Sequence, residues 1–85
     1  MVDRPILNIN NQWRIAHDGI KQWVLQRQIG SQWHGKKFNT TRENLLRSIM
    51  ANCDDVDPDL VKEISHWPDR YKDWLNEHFP IEGGH

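Results

Sequence analysis

The chain has 85 residues, a formal net charge of −1 and a single cysteine, Cys53. That length makes one domain near the lower end of what folds unaided, burying roughly 60–65% of the surface its unfolded form exposes and leaving little room for a buried catalytic cleft. A lone cysteine excludes an internal disulfide and favours a reducing, cytoplasmic setting. No apolar run approaches the ~18–20 residues of a membrane span, and Met1–Asn10 is too short and too polar for a secretory signal.

In chain order, the first part reads as strands. Ile6-Leu7-Asn8-Ile9 is a short apolar run after Pro5. Trp13–His17 alternates with period two, which puts Trp13, Ile15 and His17 on one face. Asp18-Gly19 then predicts a tight type I′ hairpin, because both central positions of that turn need positive φ. The return strand, Lys21–Gln28, places Trp23, Leu25 and Arg27 on one face and Gln22, Val24 and Gln26 on the other. Ile29-Gly30-Ser31 breaks it, and a weaker strand, Gln32–Phe38, is interrupted by Gly35 and two lysines.

The second part reads as helices. Thr40-Thr41-Arg42-Glu43 has the form of a capping box with Thr40 as the cap, followed by an apolar stripe of Leu45, Leu46, Ile49, Met50 and Cys53. Asp57-Pro58-Asp59 opens a second helix, with an N-cap, a proline pre-set for the first helical position and acids at the positive end of the dipole. Its buried face is Leu60, Val61, Ile64 and Trp67, and Pro68 ends or kinks it. A third helix restarts at Pro68 with Tyr71, Trp74, Leu75, His78 and Phe79 as its stripe, and Pro80 stops it. The expected architecture is α+β, a three- or four-stranded antiparallel meander followed by two or three C-terminal helices. Residues 1–80 form the single domain and 81–85 a flexible tail.

Charge is unevenly placed: residues 1–50 hold eight basic side chains against three acidic ones, and residues 51–85 hold three against nine. A basic half and an acidic half either attract each other within the fold or serve as recognition surfaces. Among the five tryptophans, Trp13, Trp23, Trp67 and Trp74 fall on apolar faces and are expected in the core. Trp33, between Gln32 and His34 and close to Lys36 and Lys37, is the candidate exposed ring. Arg14, Lys21, Arg27, Lys36 and Lys37 with Trp33 form one candidate binding group. Such a set suits either a protein hot spot, where Trp and Arg are enriched, or single-stranded nucleic acid, whose phosphates the cations would track while the ring stacks a base. Asp54, Asp55 and Asp59 form a second candidate group, for a basic partner.

No cofactor is implied. Counted from Asp55, the glycine and glutamate positions of a calcium loop are occupied by Leu60 and His66, so capping accounts for the aspartates. The histidines lack paired metal-ligand spacing, and Cys53 has no C-x-x-C partner and continues an apolar stripe. Catalytic motifs are missing, so an enzyme is the weakest reading.

Trp13-Arg14-Ile15, Asp18, Gln22-Trp23-Val24-Leu25-Gln26 and Arg27, then Trp33, Gly35, Phe38, Thr40-Thr41 and Leu45-Leu46, resemble small proteins encoded by bacteriophages and prophages that begin with such a hairpin and continue into an aromatic strand and a helix. The resemblance spans residues 13–50, about half the chain, and its motifs are structural. It implies an accessory protein that acts by occupying a host macromolecule, in some cases a defence system such as CRISPR. It carries over no functional residue. The favoured expectation is therefore a binder of a host protein, with nucleic-acid binding by a basic strand face as the alternative and homo-oligomerisation as a further option.

Overall fold

The computed structural model describes residues 3–79. Four strands, β1 (Arg4–Asn8), β2 (Trp13–His17), β3 (Trp23–Ile29) and β4 (Gln32–Asn39), form one antiparallel sheet in the order β1-β2-β3-β4. Three helices follow, α1 (Arg42–Asn52), α2 (Pro58–Ser65) and α3 (Tyr71–His78). This is the expected α+β meander followed by helices. The helices cover one face of the sheet only. No helix among the described residues is long and apolar enough to cross a membrane. Pro80 and the tail at 81–85 lie outside the described residues.

The alternation read in the sequence sets the inner face. Trp13, Ile15 and His17 of β2 stand opposite Arg27, Leu25 and Trp23 of β3. Of these, Trp13, Ile15, Leu25 and Trp23 join Leu45, Ile49 and Cys53 of α1 and its C-cap, Ile64 and Trp67 of the α2 region, and Tyr71 and Trp74 of α3 in a single core. All four tryptophans expected there are at most 8% exposed. Cys53 is buried, and desolvation, helped by the charge of Asp54, pushes its thiol up to about 11, so it behaves as an inert apolar group.

Three local expectations differ. The β2–β3 connection is a five-residue loop over 18–22, in which the Asp18 carboxylate accepts the backbone N–H groups of Ile20 and Lys21 at 2.8 Å and of Gln22 at 3.2 Å. Only Gly19 has positive φ there, so the turn is not type I′. The β3–β4 turn is a two-residue one with Gly30 at φ +63 and Ser31 outside the left-handed region, as type II′ requires. The first helix is capped by Thr41, whose hydroxyl accepts from Asn44 N, and not by Thr40. Backbone pairing explains the shift. Arg42 N–H donates to Asp69 at 2.7 Å, Tyr71 N–H donates to Thr40 at 2.9 Å, and Thr41 bridges Arg70, so the chain stays extended through Thr41. The same bridge delays α3 from Pro68 to Tyr71. Glu43, freed from the capping box, pairs instead with Arg47 one turn on, at 3.2 Å. Arg42 reaches across to the Ser65 and Trp67 carbonyls at 3.1 and 2.7 Å, fastening the end of α2 to the start of α1.

Side chains, more than backbone, hold α3 to the sheet. Tyr71 meets Trp23 edge-on at 5.4 Å between ring centroids, and Trp74 lies 5.6 Å from Trp67. His17, 2% exposed, is enclosed by Tyr71, Trp74 and Phe79 and hydrogen-bonds the Tyr71 hydroxyl at 2.8 Å through Nδ1. Burial, helped by the charge of Asp18, pushes the phenol up to about 12. The arrangement fits a neutral imidazole that accepts at Nδ1 from the Tyr71 O–H. Burial, reinforced by the charge of Arg4 and more weakly by His78, holds the His17 pKa below its usual 6.5 against the opposing pull of Asp18 and Asp3.

The unfolded chain therefore binds a proton at His17 at a pH where the folded protein does not. This contribution to stability is complete above pH 6.5 and is lost as pH falls from there through the lowered folded value. Thermal unfolding midpoints should drop between pH 7 and pH 5, and His17→Gln should flatten that part of the slope. Tyr71→Phe, which strands the imidazole acceptor, should cost about 1–2 kcal/mol at pH 7 in denaturant titrations.

Candidate functional site

The outer face of the sheet, opposite the helices, carries Arg14 and Ala16 of β2, Val24, Gln26 and Gln28 of β3, and Trp33, Gly35 and Phe38 of β4, as the strand registers require. A face with no helix over it would be expected to be wet. Instead Ala16, Val24 and Gln26 are 0%, 1% and 5% exposed. Arg14 reaches over to Gln26, and the Phe38 ring lies beside Val24.

Arg14 stands opposite Gln26 and lies across β3. Its Nε donates to Gln26 Oε1 at 2.7 Å, and the Gln26 amide in turn donates to Asp3 at 3.1 Å. The guanidinium carbon sits 4.3 Å from the centroid of the Trp33 ring, a stacked cation–π contact. Trp33 is thus half-buried, one face of its indole occupied by Arg14. Beside it, Gly35 admits the Phe38 ring: a Cβ there would stand 3.1 Å from both Phe38 Cζ and Val24 Cγ1. Phe38 itself remains 57% exposed. The result is a pre-assembled patch of one cation, one buried amide and two aromatic rings.

The remaining candidates disperse. Arg27 is opposite Trp13 and Lys37 opposite Leu25, so both belong to the face on which the helices pack. Lys36 sits at the irregularity between Leu25 and Gln26 on the edge strand, and Lys21 in the loop at the other end of β3. The basic group read in the sequence is therefore divided between two faces and two ends of the sheet. Arg27 lies 5.6 Å from the Trp13 ring and, with Asp54, Asn10, Gln12 and Asn52, lines a polar pocket of about 170 Å³. Asp55, at φ +54, lines an adjoining shallow depression with Asp54, and Asp59 lies exposed in the first turn of α2. Asp57 caps α2 by accepting from Asp59 N at 2.9 Å, as its sequence indicated. No group of three potential metal ligands occurs among the described residues.

Gln26 is the participant that residue type alone did not suggest. Its signal was positional: it shares strand parity with Val24 on the face away from Trp23 and Leu25. No protein-family profile matches the chain, and no curated protein or solved structure matches it either.

If Gln26 holds Arg14 on the indole, Gln26→Leu and Arg14→Ala should shift the Trp33 indole N–H resonance in the same direction in heteronuclear NMR spectra. Gln26→Leu should also lower stability by about 1–2 kcal/mol, since a hydrogen bond to a charged group is lost. A Trp33 signal unmoved by Gln26→Leu would contradict this arrangement.

Proposed function

We propose that this is a non-enzymatic binding protein that modulates a partner protein by occupying one of its surfaces, and that it does so with the outer face of its sheet. The observation that carries the reading is the Arg14–Gln26–Trp33 assembly with exposed Phe38 on the side that the helices leave open. Rigid aromatic and arginine side chains, already ordered before contact, are what the energetic centres of protein interfaces are made of.

The two edges of the sheet support a face-on mode over strand addition. β1 contains Pro5 and a register irregularity, and β4 carries Lys36, Lys37 and a second irregularity. Both devices discourage a further strand from pairing. An accessory role against a host, as the phage resemblance implies, is one setting in which such a binder would act.

The reading is tested by affinity capture from nuclease-treated lysate of the source cell, followed by reconstitution with the purified partner. Phe38→Asp should abolish reconstituted binding while leaving the fold intact by circular dichroism. A double charge reversal on the helical side, Lys72→Glu with Glu77→Lys, should leave it unchanged. The opposite pattern would refute the assignment of surfaces. Binding that disappears with nuclease treatment and falls steeply with salt would favour a nucleic-acid ligand instead.

A further inference from the structure

We infer that the outer face receives an acidic, apolar-flanked segment of its partner, with the Arg14 guanidinium clasping a carboxylate. This deepens the reading above and rests on it. Arg14 spends only Nε on Gln26. Among the described residues its two terminal nitrogens make no hydrogen bond, and the one ion pair within 4 Å is Arg47–Glu43, far along the chain on α1. A planar fork with both terminal donors available is the geometry that pairs bidentately with a carboxylate.

The fork is also held in advance. Indole stacking at 4.3 Å and the 2.7 Å bond to a side chain 5% exposed fix its plane, so most of the arginine's rotamer freedom is already lost on folding. The charge balance points the same way. Lys36 on the adjoining edge strand has no acidic partner within 4 Å among the described residues, and Asp3, the carboxylate on this face, is engaged by Gln26. Phe38, packed over Gly35 and beside Val24, supplies an apolar shelf next to the fork. A carboxylate with a neighbouring apolar side chain satisfies both.

A polyphosphate strand fits less well. It needs a row of cations along one track, whereas Arg27 and Lys37 belong to the opposite face and Lys21 to the far end. The indole face that would stack a base is occupied by the guanidinium.

The test titrates the intact protein, followed by the Trp33 indole and Arg14 Nε–H resonances, with an end-blocked Glu-Leu-Glu-Leu peptide, its Gln-Leu-Gln-Leu counterpart and an oligothymidylate. The acidic peptide should shift both signals, the amide peptide should bind at least about tenfold more weakly, and Arg14→Lys should weaken the acidic peptide about tenfold although the charge is kept. Equal binding of the two peptides, or no shift with the acidic peptide up to roughly 10 mM, overturns the inference. So does an oligothymidylate that moves the same signals with a steep salt dependence. A captured partner that needs Phe38 yet is indifferent to Arg14→Lys would sink the carboxylate clasp and leave the outer-face reading standing.

Discussion

The aromatic joint between the sheet and α3 is the interaction on which the rest of this structure depends. Three short helices of 11, 8 and 8 residues have little stability of their own, and helices of that length persist only by docking an apolar face. Trp23, Trp67, Tyr71 and Trp74 provide that dock, with His17 at its edge. Ring contact and area burial do the holding, because polar satisfaction is incomplete. The indole N–H groups of Trp23 and Trp74 and the Asn39 amide nitrogen are buried with no hydrogen-bond acceptor among the described residues. Each such donor costs about 1–3 kcal/mol. The bond between His17 and Tyr71 is therefore unusual within the cluster: it is a polar contact that is satisfied, on a ring whose burial favours the uncharged form.

Gathering the helices on one side leaves the two faces of the sheet with different tasks. The inner face contributes its large apolar residues to the core. The outer face, with no helix over it, is built up by its own side chains: Arg14 reaches over to Gln26, and the Phe38 ring lies beside Gly35 and Val24. Glycine at position 35 is part of this solution, since the Phe38 ring takes the space that a Cβ would need. Such a surface is neither a core nor an ordinary solvated face. It is dry at its centre and presents oriented groups at its rim.

The order of elements was legible because each signal was local: alternation in Trp13–His17, the Asp57-Pro58 helix start, and apolar spacing in α1 through α3. What went astray depended on contacts distant in sequence. Thr40 and Thr41 could not be ranked as caps without knowing that residues 40–42 pair with 69–71. Met50 belongs to the stripe of α1 by spacing yet is 63% exposed, because the helix is covered along the narrower line of Leu45, Ile49 and Cys53. The basic group was assembled from nearness in sequence, while strand parity separates Arg14 from Arg27.

The hairpin is the instructive case, since the sequence already contained the means to correct it. A two-residue Asp18-Gly19 turn would set His17 opposite Ile20, and so Arg14 opposite Trp23. That register joins inner-face residues of one strand to outer-face residues of the other, against the alternation read in both. The observed loop sets His17 opposite Trp23 and Arg14 opposite Gln26, so that faces match. Asp18 makes the longer loop possible by accepting three successive backbone N–H groups. The face pattern outweighs the dipeptide preference because burying Trp23 and Leu25 is worth several times the difference between two turns. One consequence of that outcome is the outer patch itself: only in this register does Arg14 meet Gln26, and through it Trp33. The loop that fixes the core thus also fixes the surface, and a change in the register of β2 on β3 would dismantle both together.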